Sequence, residues 1–169
     1  QDICFVPDGD YVKFIEQYTG KHYPSGDFLD EAGAVVGKHR GAIRYTIGQR
    51  KGLQLAMGTP VYVWQKDMQN NTVSVGAESA LYSDTLIAGE LNWISVTELA
   101  QPMRVKAKTR YRQTEQWATV YPQGQDTVRL VFDEPQRAMT VGQAVVMYDG
   151  DIVVGGGTIT EIPGRGDAL

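Results

Sequence analysis

Five cations alternate with neutral residues along Arg104-Val105-Lys106-Ala107-Lys108-Thr109-Arg110-Tyr111-Arg112. Side chains on a strand point to opposite faces with period two. Read as a strand, the run therefore puts Arg104, Lys106, Lys108, Arg110 and Arg112 on one face and Val105, Ala107, Thr109 and Tyr111 on the other. Like charges about 6.6–7 Å apart repel one another unless a polyanion or neighbouring carboxylates neutralise them. The chemistry on offer is contact with a phosphate backbone, whose charges repeat on the same order of spacing. The plainer alternative is an exposed strand guarded by cations against edge-to-edge pairing, for which two would suffice.

A second basic stretch covers residues 39–53, His39-Arg40-Gly41-Ala42-Ile43-Arg44-Tyr45-Thr46-Ile47-Gly48-Gln49-Arg50-Lys51-Gly52-Leu53. Arg40, Arg44, Arg50 and Lys51 carry charge and no acid offsets them. Gly41, Gly48 and Gly52 suit sharp turns or a close approach of backbone to a ligand. The Tyr45-Thr46-Ile47 centre has strand preference, so a short strand running into a basic, glycine-bent loop is expected here. A solvated loop with ordinary surface charge is the alternative.

Cys4 is the sole thiol. Taken by itself it reads as a small buried hydrophobe, because a reactive role needs a lowered pKa and His22 and His39 are remote in sequence. Too few Cys and His are present for a structural zinc site, so no metal is expected. The Gly155-Gly156-Gly157 run lacks the G-x-G-x-x-G spacing and a following helix, which argues against a dinucleotide site. No Ser-His-Asp arrangement or carboxylate pair stands out.

These residues need elements to hold them. Asp10 is placed to cap a helix over 11–18, with Tyr11, Phe14, Ile15 and Tyr18 at i, i+3, i+4 and i+7 as a core-facing stripe and Gly20 to end it. Residues 28–30 and 34–37 read as two short strands, and 60–66 with 72–76 as a hairpin about an Asn-rich turn. Beyond 77–84, a polar boundary, strands are expected at 85–95, 103–112, 116–121, 126–132, 143–148, 152–154 and 158–162, with a bend or bulge at the triple glycine. The expected fold is mainly β (α+β): a small α+β domain over 1–78, a six- to seven-stranded β-barrel over 84–162 and a tail at 163–169.

Among 169 residues, 16 Lys and Arg face 20 Asp and Glu, a net charge of -4 that argues weakly against nucleic acid. The average misleads. Residues 38–51 and 104–112 hold five cations each, and no acid lies between Glu31 and Asp67 or between Glu98 and Glu115. Segregated charge makes local positive fields on an acidic protein. No apolar run approaches the ~20 residues that span a bilayer. One cysteine excludes an internal disulfide framework and fits a reducing compartment, so a cytoplasmic location is expected. The opening Gln1-Asp2-Ile3-Cys4-Phe5-Val6 reads as the middle of a longer protein.

Three segments together resemble the tRNA-specific 2-thiouridylase (MnmA/TrmU) family. They are Gln1-Asp2-Ile3-Cys4-Phe5; Gly37-x-His39-x-Gly41 with Tyr45-Thr46-Ile47-Gly48-Gln49-Arg50-Lys51-Gly52-Leu53; and Arg110-Tyr111-Arg112 with Pro135-Gln136, Thr140-x-Gly142-Gln143, Tyr148-x-Gly150-Asp151 and Gly155-Gly156-Gly157. The resemblance implies an ATP-pyrophosphatase domain, using ATP with Mg and absent from this sequence, that adenylates the C2 oxygen of the anticodon wobble uridine before persulfide sulfur replaces it. It implies that Cys4 receives that sulfur from a sulfur-carrier protein, as an accessible thiolate. Its companion cysteine, the partner for any disulfide, would lie in the missing domain. Arg110, Tyr111 and Gln143 match tRNA-contacting positions, with Lys106, Lys108, Arg112, Arg40, Arg50 and Lys51 as weaker candidates. Tyr111 falls opposite the arginines in the strand reading, so either the strand bulges there or the contact is at a barrel rim. The 169 residues correspond to the central and C-terminal domains, expected to be monomeric, bound to no membrane and inactive alone.

Two other readings compete. One is a non-catalytic RNA-binding barrel in which Cys4 is incidental; the other is a scaffold whose basic strand meets an acidic protein partner.

Overall fold

The computed structural model describes residues 10–124, 126–165 and the backbone of 167–168. The chain forms two compact units, residues 1–77 and 78–169.

In the first unit, helix α1 (Tyr11–Thr19) begins where the Asp10 carboxylate accepts from the Lys13 amide at 3.1 Å. It ends at Gly20, whose left-handed φ of 68° lets its amide reach the Glu16 carbonyl. The aromatic stripe does not form the core. Val12 is the buried residue of α1, whereas Tyr18 is 84% exposed and stacks on Phe14 at 6.2 Å. Tyr11 is tied inward by a hydrogen bond, its hydroxyl donating to the Ile43 carbonyl. The helix turns in the side that carries Val12, with Tyr11, Ile15 and Glu16 half-buried beside it.

Strands β1 (Gly26–Leu29), β2 (Val35–His39), β3 (Tyr62–Asp67) and β4 (Thr72–Gly76) form a sheet ordered β2-β1-β4-β3, in which only β1 and β4 run parallel. Phe28, Val63, Val73 and Val75 fill its core. Tyr45-Thr46-Ile47 is not a strand. A single 3-10 turn (Ala42–Arg44) precedes it, and Tyr45 and Ile47 are buried while Thr46 points out. Glycines with positive φ on both sides, Gly41 at 101° and Gly48 at 88°, leave too short a segment between them for a ladder.

The second unit is a closed barrel. Strands β5 (Tyr82–Trp93), β6 (Met103–Lys108), β7 (Gln116–Pro122), β8 (Val128–Arg137), β9 (Ala144–Asp149) and β10 (Ile152–Ile162) pair in the order β10-β5-β8-β7-β6-β9, and β9 pairs with β10 to close the ring. A two-residue β11 (Asp167–Ala168) adds to the end of β10. Leu86, Ala88, Val105, Ala107, Leu130, Met147 and Ile159 point inward from successive strands. The guanidinium of buried Arg165 locks one end, donating to the carbonyls of Met139 and Leu81.

The triple glycine lies inside β10 instead of dividing it, and the register shifts on both sides of it. A Cβ on Gly156 would sit 2.7 Å from the Val145 carbonyl oxygen, and one on Gly157 would sit 2.6 Å from that of Gly89. The first approach lies on the β9–β10 seam that closes the barrel, the second on the β10–β5 pairing.

Candidate nucleic-acid interface

Alternation along β6 holds from Met103 to Lys108 and then stops. The reason is local. The amide and hydroxyl of buried Thr109 both donate to Oε1 of Gln113, at 3.2 and 3.0 Å, and the Gln113 amide donates back to the Arg110 carbonyl. Gln113 Nε2 then donates to Oε1 of buried Gln136 at 2.6 Å, and Gln136 donates to the Glu134 carbonyl. This chain of bonds turns residues 109–113 into a tight rim loop. Arg110 and Arg112 leave the strand face, and Tyr111 stands 98% exposed. The five-cation row is thus three cations on the strand and two on the rim.

Gln136 is available because β8 deviates from its partner. Ser83 pairs with Gln136 and Thr85 with Val131, so four β8 residues face one on β5. Pro135, which has no N–H to give the ladder, lies in this bulge.

Arg110 is aimed by its own bond, Nη2 to the Ala138 carbonyl at 2.6 Å, and the Thr140 hydroxyl donates to the same oxygen. That carbonyl joins the rim loop to the β8–β9 connection. There Gln143 is exposed, with its amide on the Thr140 carbonyl and its own carbonyl accepting from Ile159. Lys108 pairs with Val146, so the residues after Lys108 and those before Val146 emerge at one end of the barrel. Arg110, Tyr111 and Gln143 share that rim. Beside it opens a groove of about 550 Å³ whose lining includes Tyr82, Arg110, Arg112, Gln116, Glu134 and Arg137.

On the strand face, carboxylates from neighbouring segments answer two of the three cations. Arg104 forms a two-pronged pair with Asp133, and Lys108 meets Glu115 at 3.3 Å. The Arg104 hydrogen bonds hold Asp133 below the usual carboxylate range. Glu115 is lowered first by a backbone hydrogen bond and then by Lys108. Lys106 makes no ion pair within 4 Å among the described residues, although its charge also helps to lower Glu115.

In the first unit, Gln49 shapes the basic loop. Its side chain accepts from the Thr46 amide at 3.1 Å and donates to the Lys51 carbonyl at 3.0 Å. The loop is laced to β3 by Gly48 to Val63 and Val63 to Gln49 backbone bonds. Lys38 pairs with Asp27 and Arg44 with Asp10, whereas Arg40, Arg50 and Lys51 are exposed and their charges meet no carboxylate among the described residues. His39 is buried and structural. Its Nδ1 accepts from the Gly41 amide at 3.0 Å, leaving Nε2–H to donate to the Asn71 carbonyl at 3.1 Å. Burial lowers its pKa, opposed in part by that Asn71 bond.

Residues 12–77 match the tRNA methyl transferase PRC-barrel domain family, and residues 83–159 match the aminomethyltransferase beta-barrel domain family. The tRNA-specific 2-thiouridylase MnmA of Acetivibrio thermocellus is 57% identical over 159 residues, covering 94% of this chain and 44% of that protein. The proteins of the same name from Halothermothrix orenii and Clostridioides difficile are 49% and 48% identical, covering 95% and 94% of this chain and 45% and 44% of theirs. The chain belongs to the tRNA-specific 2-thiouridylase family. It spans less than half the length of these MnmA relatives.

Of the residues that the MnmA resemblance singles out, three converge on the barrel rim. Cys4 lies outside the described residues, and as the sole cysteine it forms no disulfide within the chain. Among the described residues, no group of three His, Cys, Asp or Glu is arranged to hold a metal ion, and no helix is long and apolar enough to cross a membrane. Gln113, Gln116, Arg137 and Tyr82 carry no motif in this MnmA-family chain and escaped the sequence reading. Gln136 lay in a quoted motif without a role. Trp117 escaped the reading as well; the burial of Ala118 and Val120, which alternate with it along β7, puts it on the outer face.

Proposed function

We propose that this chain is the C-terminal, tRNA-docking and sulfur-receiving part of a tRNA 2-thiouridylase, whose complete form replaces the C2 oxygen of the wobble uridine with sulfur. The observation that carries the reading is the meeting of Arg110, Tyr111 and Gln143 at one barrel rim, beside a groove that includes Arg112 and Arg137. Arginine forks suit phosphate oxygens, and an exposed tyrosine offers a stacking surface to an unpaired base. Arg40, Arg50 and Lys51 supply a second cationic contact on the first unit, with Lys106, Lys108 and Arg112 supporting the barrel.

Cys4 is the sulfur acceptor in this reading. Its thiolate attacks the outer sulfur of a persulfide on a carrier protein, forming the Cys4 persulfide and releasing the carrier's thiolate. ATP and Mg act in the domain outside this sequence, which also holds the companion cysteine. No residue of this chain is assigned to ATP, so the fragment is inactive alone. The protein works as a monomer in the cytoplasm.

The test is Cys4→Ser in the full-length protein. Formation of 2-thiouridine is expected to disappear while tRNA affinity stays within about twofold, the scatter of a surface substitution. Thiolation that survives the substitution removes Cys4 from the reaction.

A further inference from the structure

The outer face of β6 and β7 carries a ladder of cations laid against aromatic rings. The Arg104 guanidinium lies 5.0 Å and the Lys106 ammonium 5.3 Å from the Trp117 ring centre; Lys108 lies 5.3 Å from Tyr148 and Arg129 4.8 Å from Tyr121. The register explains the arrangement. Lys106 pairs across β7 with Trp117 and across β9 with Tyr148, and Tyr121 pairs with Arg129 of β8. Trp117 is 49% exposed, so part of its ring stays open to solvent beside the two cations. Asp133 and Glu115 hold Arg104 and Lys108 in place at the two ends of the row, while the central Lys106 makes no ion pair within 4 Å among the described residues and acts on Glu115 only at longer range.

We infer that this ladder is a second RNA-contacting surface, continuous with the rim, on which Trp117 contacts sugar or base and Lys106 contacts phosphate. Alternating cation and ring is the pairing that a nucleic-acid strand needs, since each nucleotide brings one charge and one flat face. The connection from β6 to β7 is the rim loop itself, so RNA seated on Arg110 and Tyr111 passes onto Lys106 and Trp117 through neighbouring residues of one hairpin. An acidic protein partner would meet the same cations and cover the same rings, and loss of tRNA binding in the Trp117 and Lys106 variants separates the two occupants. The inference rests on the proposed tRNA docking and extends it from a rim to a face.

The experiment measures tRNA binding by the full-length protein at several salt concentrations, using an unmodified tRNA transcript with uridine at the wobble position. The variants are Trp117→Ala, Trp117→Phe, Lys106→Gln and, as the rim control, Arg110→Glu with Arg112→Glu. Trp117→Ala is expected to weaken binding about tenfold, as loss of one stacking contact does, and Trp117→Phe to restore most of it. Lys106→Gln is expected to reduce the salt slope by about 1. All three single variants should keep the unfolding midpoint of the parent. Loss in the rim control with no change in the Trp117 and Lys106 variants overturns the second surface and leaves the rim reading standing. An equal loss in Trp117→Ala and Trp117→Phe overturns the stacking role. No binding by the parent protein overturns the rim and the ladder together.

Discussion

Gln113 Nε2 donates to Gln136 Oε1 at 2.6 Å, and through that bond the loop that displays Arg110 and Tyr111 is fastened to the bulged end of β8. Each amide accepts through its oxygen and donates through its nitrogen, in the same direction. Gln113 accepts twice from Thr109, and Gln136 donates to the Glu134 carbonyl. The rim is therefore pre-shaped, so RNA binding need not supply the ordering entropy of the loop.

Replacing Gln113 with Ala removes the acceptor of two donors on buried Thr109. Leaving such groups unpaired costs about 1–3 kcal/mol. Denaturant unfolding should show that loss, amide exchange at Thr109 should accelerate, and tRNA affinity should fall although residue 113 is not assigned a contact. Unchanged exchange at Thr109 would show that Gln113 does not hold the loop.

Gly156→Ala should destabilise the barrel far more than a surface substitution. The new methyl would lie 2.7 Å from the Val145 carbonyl oxygen, a backbone atom held in the β9–β10 ladder. Overpacking of this kind costs about 1–3 kcal/mol. Gly142→Ala provides the contrast: nothing lies within 4 Å of its Cβ, and only its φ of 84° opposes the change. Thermal unfolding of the two variants should rank Gly156→Ala as the less stable.

The first unit should lose stability as pH falls below about 6.5, the ordinary histidine value. The folded pKa of His39 is lowered, so the unfolded chain binds the proton more readily; stability is full above the unfolded pKa and declines as pH drops toward the folded one. The neutral ring is required because protonated Nδ1 would face the Gly41 N–H that it accepts. Asp10 and Asp67, also lowered, act in a separate window below about 4. The urea midpoint of the first unit should be lower at pH 5.5 than at pH 7.5, and His39→Gln should flatten that difference. A midpoint independent of pH over this range would contradict the assigned tautomer.

The barrel was legible where alternation decides the outcome. Val105 and Ala107 are buried on β6, as the period of two predicts, and a strand occurs near each expected site. The reading failed where a side chain competes with the backbone. Gln113 captures the Thr109 amide and ends the ladder, which alternation cannot register. It also could not show that Asp133 and Glu115 neutralise Arg104 and Lys108, because cross-strand partners depend on register. The Tyr45–Ile47 segment has strand composition, yet the positive φ angles of Gly41 and Gly48 isolate it. Tyr111 and Gln143 came from the family motif alone, whereas Arg110 also stood in the alternating cation row; the structure contributed their meeting place.

The central claim is that tRNA docks on the barrel rim. The most direct measurement is tRNA affinity of the full-length protein against salt, parent beside Arg110→Glu with Arg112→Glu. Both side chains are exposed, and losing the Arg110 bond to the Ala138 carbonyl costs about 1.5–3 kcal/mol, less than the stability of a typical domain, so the double variant should remain folded. The account predicts weaker binding with a log–log salt slope shallower by about 2, one unit for each phosphate contact removed. Equal affinity and equal slope in a folded double variant would contradict it and move the RNA to another surface.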